Sequence, residues 1–209
     1  PDCLRNELFL GGWETRYCHL KNNSLRKQSG DRVQTGDILG QVGMSGLSNF
    51  PHLHLSVSKN GKTMDPFLTE KAQICSDKVG NGLWHQAPAY SSAGLFAVGF
   101  SADIPSLADV KTGAARQTSL GRYNPALVLY GYAFHAAASD LIHLRVTGPE
   151  GLIFEHTAQI KKTQSQLFRA FGKRRPKAGW PSGEYRGVVT LWRNNRILAV
   201  RQTGLTITP

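Results

Sequence analysis

The sequence has 209 residues, of which 40% are hydrophobic, and it carries a formal net charge of +11 with three cysteines. This length fits one large domain or two small ones, and the apolar content is enough for a packed core without a dense disulfide framework. No apolar run approaches the length of a membrane-spanning helix, and no export signal is seen, so we expect no membrane span.

The excess of positive charge is concentrated in the C-terminal half of the chain. Residues 106–209 contain 15 Lys and Arg against 5 Asp and Glu, whereas residues 1–70 contain 8 against 7. A charge distribution of this kind indicates an anionic partner for the C-terminal part.

The first predicted element is a hairpin. Residues 8–17 form two strand-like runs with a Gly-Gly turn between them. Cys3 and Cys18 flank this hairpin, so they either form a disulfide in an oxidising compartment or stay buried thiols. Cys75 is left over in either case.

A glycine-rich stretch and a histidine pair come next. Glycines recur between residues 30 and 46 and indicate turns between short strands, and no Lys-Ser/Thr follows to make a phosphate-binding loop. The His52-x-His54 pair opens an alternating run, which predicts a strand whose two imidazoles point to the same side. Two such imidazoles can have different roles, in which one binds a metal and the other transfers protons. Alternatively, both lie on a solvated strand face without a chemical role. Asn60-Gly61 then predicts a hairpin tip.

The ordered set of these segments resembles the lysostaphin-type (LytM-like) zinc metallopeptidases, which cut peptide cross-links in bacterial cell wall. The resemblance covers about residues 7–67, and no single segment is specific, whereas their order is. It rests on these segments: Tyr17-Cys18-His19-Leu20, the glycine turns from Gly30 to Gly40, Gly43-Met44-Ser45-Gly46-Leu47-Ser48, Pro51-His52-Leu53-His54, Asn60-Gly61 and Asp65-Pro66.

The resemblance implies a role for each of three histidines. His54 is similar to the zinc ligand of the H-x-H pair, His52 to its catalytic histidine, and His19 to a second catalytic histidine that polarises the scissile carbonyl or positions the attacking water. The family needs two more zinc ligands, a His and an Asp in an upstream H-x-x-x-D segment, and no histidine precedes His19. One histidine does not hold a catalytic Zn²⁺, which usually has three protein ligands.

Two explanations account for the missing ligands. The chain, which starts without an initiator Met, is either the C-terminal part of a longer peptidase domain or a degenerate member that binds wall without cutting it. We expect the first explanation to hold, because a domain of this family needs a longer segment ahead of Tyr17 than is present here.

The rest of the chain predicts a second β domain. Residues 68–105 lack periodicity and form a connector, with residues 95–100 as a candidate first strand of the second domain, and His85 within the connector is taken as structural or exposed. Strand-like runs then recur, among them residues 127–134, 141–147, 152–156, 185–192 and 196–207, joined by Gly, Pro and Asn turns.

This pattern is typical of a small β-sandwich, and the Gly183-x-Tyr185 entry makes an immunoglobulin-like fold one candidate. The predicted fold class is therefore all-β, with a partial LytM-like antiparallel domain at 1–67, a connector at 68–105 and a basic β-sandwich at 106–209. His135, His143 and His156 lack ligand spacing for a second metal site and are taken as structural or exposed.

Residues 161–177 form a run with seven basic residues and no acidic one. Within it, Ser165 predicts the cap of a short helix over 165–172, with Phe168 and Phe171 inward and Gly172 at its end. The run is either a solvated loop or a contact for an anionic polymer.

The sequence thus predicts a zinc-dependent endopeptidase of peptidoglycan cross-links, located in the bacterial periplasm or cell envelope. The alternative is a non-catalytic LytM-like protein that binds cell wall or activates another wall hydrolase. A nucleic-acid binder is the weakest hypothesis, because it needs stacking platforms beside the charge and leaves the first seventy residues unexplained.

Overall fold

A computed structural model describes residues 3–8, 11–68 and 82–209, and for residues 3–8 it describes the backbone. The chain divides into two compact units, residues 1–89 (the N-terminal unit) and 90–209 (the C-terminal unit). The boundary falls inside the stretch predicted as a connector. In the described part of the chain, no helix is long and apolar enough to cross a membrane.

The N-terminal unit is built on one antiparallel sheet in the order β1-β2-β3-β4. Its strands are β1 Cys3–Leu8, β2 Trp13–Cys18, β3 His54–Lys59 and β4 Lys62–Met64. Gly11-Gly12 and Asn60-Gly61 all have positive φ, from 51° to 81°, and Asn60-Gly61 forms the two-residue turn between Lys59 and Lys62. Both predicted hairpins are therefore present.

Residues 19–53, between β2 and β3, form a long connection without regular strands. The predicted glycine turns are present, with Gly30 and Gly36 at φ of 97° and 95°. The predicted short strands between them are absent from this described stretch, where only isolated bridges join Leu20 to Val42 and Gly43 to His52. Turns this closely spaced leave too few residues for a strand of ordinary length.

One cysteine of this unit is oxidised. Cys18 is buried and disulfide-bonded. The register of β1 against β2 places Cys3 directly opposite Cys18, as a Cys3–Cys18 disulfide requires. The side chain of Cys3 and all of Cys75 lie outside the described residues.

The N-terminal unit continues beyond Asp65-Pro66, where the sequence predicted its end. The Leu83 N–H donates to the Pro66 carbonyl at 2.8 Å, and the Phe67 and Trp84 rings are 5.5 Å apart. Residues 82–89 therefore belong to the N-terminal unit.

The C-terminal unit is a sandwich of two sheets. A three-stranded sheet has the order β10-β7-β5, and a five-stranded sheet has the order β6-β12-β11-β8-β9. The elements are β5 Gly94–Ser101, α1 Leu107–Thr112, β6 Ser119–Gly121, β7 Ala126–Ala136, β8 Leu141–Gly148, β9 Gly151–Gln159, β10 Gln164–Arg174, β11 Gly183–Arg193 and β12 Arg196–Thr208. All pairings are antiparallel except the parallel pairing of β6 with β12.

The core of the sandwich lies between the two sheets. In β8, Ile142, Leu144 and Val146 are fully buried and alternate with more exposed residues, as their period-2 pattern predicted. At the start of β11 the Tyr185 hydroxyl donates to the Pro181 carbonyl at 2.8 Å, the arrangement called a tyrosine corner in immunoglobulin-like sandwiches. The prediction of a nearly all-β chain with antiparallel sheets is confirmed.

A buried ion pair fixes the turn between β7 and β8. The Asp140 carboxylate is 1% exposed and accepts two hydrogen bonds from the Arg193 guanidinium and one from the Ala137 N–H, all at 2.8 Å. Burial raises the pKa of Asp140, but these donors outweigh it, so the pKa lies below its ordinary value.

The predicted helix over 165–172 is wrong, because these residues belong to strand β10. Leu167 and Phe171 pack into the sandwich core, while Phe168 and Ala170 pack on the opposite face of the same sheet. Apolar residues on both faces of a buried strand imitate the spacing of a helix, which explains the error.

The helix that does form in the C-terminal unit, α1, lies elsewhere. Ser106 caps it by accepting a hydrogen bond from the Asp109 N–H at 3.1 Å, and Gly113 ends it at φ of 83°. The Ser-x-x-Asp spacing and the following glycine were available in the sequence as signals for a short helix.

Candidate active site

The three histidines singled out by the sequence lie together in the N-terminal unit. His19 follows β2, His52 forms an isolated bridge to Gly43, and His54 begins β3 opposite Cys18. The ring centroids of His19 and His52 are 4.7 Å apart, and those of His19 and His54 are 6.0 Å apart. Two segments separated by more than thirty residues thus bring three imidazoles into one cluster.

The loop over residues 45–50 orients two of these rings through its carbonyl groups. His19 Nδ1 lies 2.8 Å from the Ser45 carbonyl oxygen, and His52 Nδ1 lies 2.9 Å from the Phe50 carbonyl oxygen. A carbonyl only accepts, so each Nδ1 carries the proton and each neutral ring keeps Nε2 as its unprotonated nitrogen.

Ser48 and Phe50 complete the surroundings of His52. The Ser48 hydroxyl donates to the Phe50 carbonyl at 2.7 Å and lies 3.3 Å from His52 Nδ1. It therefore helps to position the Phe50 carbonyl, which is the hydrogen-bond acceptor for the His52 ring. The Phe50 ring stacks on the His52 imidazole with centroids 4.5 Å apart. His52 is thereby fixed by both a hydrogen bond and a ring contact.

Gly43 joins the two histidine segments through its backbone. Its N–H donates to the His19 carbonyl at 3.0 Å, and its carbonyl accepts from the His52 N–H at 3.1 Å. A Cβ at this position would lie 2.8 Å from the Leu20 carbonyl carbon and still closer to the backbone of Lys21, so only glycine fits here.

The backbone of His19 is itself unusual, because its φ is 63°. Non-glycine residues rarely adopt this left-handed conformation, and where they do the surrounding structure must hold them there. The bond from Gly43 and the bond to the Ser45 carbonyl supply that support, and the result is a side chain turned toward His52 and His54.

The described residues do not form a complete zinc site. No group of three or more His, Cys, Asp or Glu side chains in the described part of the chain is arranged to hold a metal ion. A catalytic Zn²⁺ needs three protein ligands. His19 and His52 keep Nε2 free while a loop carbonyl holds Nδ1, and His54 is exposed and its ring makes no hydrogen bond to a described residue.

Of the other four histidines, His85 belongs to the N-terminal unit, whereas His135, His143 and His156 belong to the C-terminal unit. His156 stacks on Phe171 with ring centroids 4.2 Å apart, and His143 Nε2 is 3.9 Å from Glu155. His85 and His135 are exposed.

Sequence reasoning missed the groups that orient the histidines. The ring partners are the backbone carbonyls of Ser45 and Phe50, and a backbone acceptor has no residue-type signature in a sequence. Ser48 and Gly43 did have a signal, since they are the last and first residues of the Gly-x-x-Gly-x-Ser segment, but that segment alone does not state their roles.

The comparison with protein families identifies the N-terminal part. A family model described as Peptidase family M23 matches residues 9–66, which include all three clustered histidines. The resemblance to LytM-like metallopeptidases is confirmed over that stretch.

Two solved structures are distantly similar to this chain. A Bifidobacterium dentium beta-glucuronidase matches with a TM-score of 0.34 and 12% identity over 56% of this chain, which spans 18% of the glucuronidase chain. A CARDB domain from Pyrococcus furiosus matches with a TM-score of 0.34 and 11% identity, over 57% of this chain and 97% of that domain. Likenesses this distant indicate neither the function nor the detailed fold.

Proposed function

We propose that residues 9–66 carry the histidine side of a zinc-dependent endopeptidase that cleaves peptide cross-links of bacterial peptidoglycan in the periplasm or cell envelope. The observation that carries the proposal is the cluster of His19, His52 and His54 within a segment that matches peptidase family M23. The proposal assigns different tasks to the three rings.

His19 and His52 act on the substrate. With Nδ1 protonated and held by a loop carbonyl, each ring has a free Nε2 that can accept a proton and return it. Their centroids are 4.7 Å apart, so both rings can reach the same peptide group. Once protonated, either ring can also donate a hydrogen bond to the oxygen on which negative charge develops.

His54 contributes one metal ligand. The described residues do not complete the site, so the proposal requires a His and an Asp in addition to the residues that the structure describes beside His54. We propose that such ligands come from an H-x-x-x-D segment encoded ahead of residue 1, and the gene sequence tests this directly.

A second candidate function rests on the same incomplete donor set. A LytM-like protein that cannot hold the metal can still bind cell wall or activate another wall hydrolase, using the same folded unit as a binding surface. The observation that favours it is that no metal-binding group is assembled among the described residues.

The deciding experiment measures metal and activity together. The 209-residue chain alone should contain substoichiometric zinc by mass spectrometry and should leave cross-linked peptidoglycan intact. A longer gene product that includes H-x-x-x-D should bind one Zn²⁺ and release cross-link peptides detectable by liquid chromatography.

Histidine variants of the longer product separate the roles. His54→Ala should lose metal and activity together, whereas His52→Ala and His19→Ala should keep the metal and lose about 10²–10⁴-fold in rate. His85→Ala is the matched control, because it removes an exposed histidine of the same unit. Full activity of His52→Ala would contradict the assignment, and a gene without the upstream segment would replace the enzyme with the binding protein.

A further inference from the structure

The C-terminal unit has a groove of about 940 Å³ on the outer face of its three-stranded sheet. Its floor comes from β5 and β7, and residues of α1 and β12 stand on its sides. Two glycines of β5 let aromatic rings of β7 pack closely against this strand, since a Cβ at Gly94 would lie 2.9 Å from the Phe134 ring and one at Gly99 would lie 2.6 Å from Tyr130 Cζ. Pockets for small ligands typically enclose about 300–1,000 Å³.

Aromatic rings line this groove. Phe96 is partly exposed, and its ring centroid lies 4.8 Å from that of Phe134 and 4.9 Å from that of Tyr132. β5 has a register shift between Leu95 and Ala97, and this irregularity turns Phe96 onto the outer face of the sheet. Partly exposed, mutually packed rings offer a rigid apolar surface to a ligand.

Two arginines supply the charge of the groove. Arg201 Nε donates to the Leu95 carbonyl at 2.7 Å, which fixes the guanidinium while its other N–H groups stay available. Arg116 lines the groove near the Tyr130 hydroxyl, and burial raises the pKa of that hydroxyl, so it remains a protonated donor.

The groove is therefore complementary to an anion. Among the described residues that line it none is acidic, and neither Arg116 nor Arg201 forms an ion pair with a described carboxylate. Guanidinium groups pair with carboxylates through two parallel hydrogen bonds, so the two arginines favour a ligand with carboxylates over a neutral one.

We propose that this groove binds a muropeptide, with peptide carboxylates on Arg116 and Arg201 and a sugar ring or apolar side chain against Phe96 and Phe134. The proposal rests on the proposed function, which makes the cell wall the source of the ligand. It places wall recognition at this groove and not at the basic residues Lys173 to Arg175 at the end of β10, where the charge of the sequence is densest.

The test is calorimetric titration of the full 209-residue chain with a soluble disaccharide-tripeptide muropeptide at low salt. Arg116→Gln and Arg201→Gln should each weaken binding about tenfold, which corresponds to about 1.4 kcal/mol. Phe96→Ala should weaken binding as well. The parent chain should bind the muropeptide with amidated carboxylates as weakly as the arginine variants bind the unmodified muropeptide.

Arg196→Gln is the matched control, because Arg196 is exposed on the same strand as Arg201 and lies outside the groove. Equal loss in Arg196→Gln, or a loss found only in a Lys173→Gln/Arg174→Gln/Arg175→Gln variant, would overturn the proposal in favour of diffuse or β10-centred attraction. Unchanged affinity in the arginine variants would overturn it too.

The result is independent of catalysis. His52→Ala should leave muropeptide affinity unchanged, so a groove that binds muropeptide, together with a longer gene product that fails to cut wall, would count against the peptidase proposal alone. Thermal unfolding and circular dichroism of each variant establish that a loss of affinity is not a loss of folding.

Discussion

Replacing Gly43 with alanine should pull apart the two backbone segments that carry the proposed catalytic rings. The added Cβ would lie 2.8 Å from the carbonyl carbon of Leu20 and closer still to the backbone N and Cα of Lys21. Main-chain atoms cannot rotate away as a side chain can, so residue 43 must move. That movement breaks the bond to the His19 carbonyl and the bond from the His52 N–H.

The expected cost is set by these contacts. Overpacking by one methyl group against fixed atoms costs about 1–3 kcal/mol, and each lost backbone hydrogen bond adds about 1 kcal/mol. We therefore expect the local free energy of opening to fall by at least about 3 kcal/mol, the lower end of this sum. Gly121→Ala is the matched control, because nothing lies within 4 Å of a Cβ there and its φ is not positive.

Amide hydrogen exchange is the suitable assay, since the change is local and the chain has two units. The amide protons of residues 43 and 52 should exchange roughly 10²-fold faster in Gly43→Ala, as about 3 kcal/mol implies. Gly121→Ala should leave both rates within a factor of about 2. Unchanged protection at residues 43 and 52, with both imidazole tautomers as in the parent by ¹⁵N chemical shift, would refute the argument.

Two further predictions concern groups outside that backbone bridge. Ser48→Ala removes the hydroxyl that braces the Phe50 carbonyl, so the Nε2-protonated tautomer of the His52 ring should become detectable by ¹⁵N chemical shift; Ser48→Thr, which keeps the hydroxyl, should not show it. Asp140→Asn should destabilise the C-terminal unit by about 2 kcal/mol at neutral pH, because the partly exposed Arg193 guanidinium loses the charge of its carboxylate partner. The folded pKa of Asp140 is lowered, so its contribution is complete above the unfolded pKa of about 3.9 and is lost as the pH falls through the folded value. The midpoint temperature of thermal unfolding should therefore be lower in the variant than in the parent at pH 7, and this difference should narrow below about pH 4. A difference that is independent of pH would contradict this assignment.

The parts of the fold that could be predicted are those set by neighbouring residues. The two hairpin tips depend on residues that tolerate positive φ, and the alternation in β8 depends on one face being buried. Strand β10 was predicted as a helix because its neighbours, β7 on one edge and the core on one face, are set by residues far away in the sequence.

The candidate site divides in the same way. The histidines could be predicted because their spacing and the surrounding glycines carry chemical information in their residue types. The ring acceptors could not, because the Ser45 and Phe50 carbonyls belong to the backbone and any residue supplies one. The φ of 63° at His19 is also invisible in the sequence, since it results from the bonds around it and not from the preference of histidine.

The asymmetry among the three rings bears on whether this chain cuts or only binds. Metal-bound histidines almost always donate their second ring N–H to a carbonyl or carboxylate. His19 and His52 have such acceptors in the Ser45 and Phe50 carbonyls, whereas the His54 ring makes no hydrogen bond to a described residue. Under the proposed function, variants that release the Nδ1 bonds of His19 and His52 should lose cleavage and keep wall binding, because those bonds leave Nε2 of each ring free to move a proton.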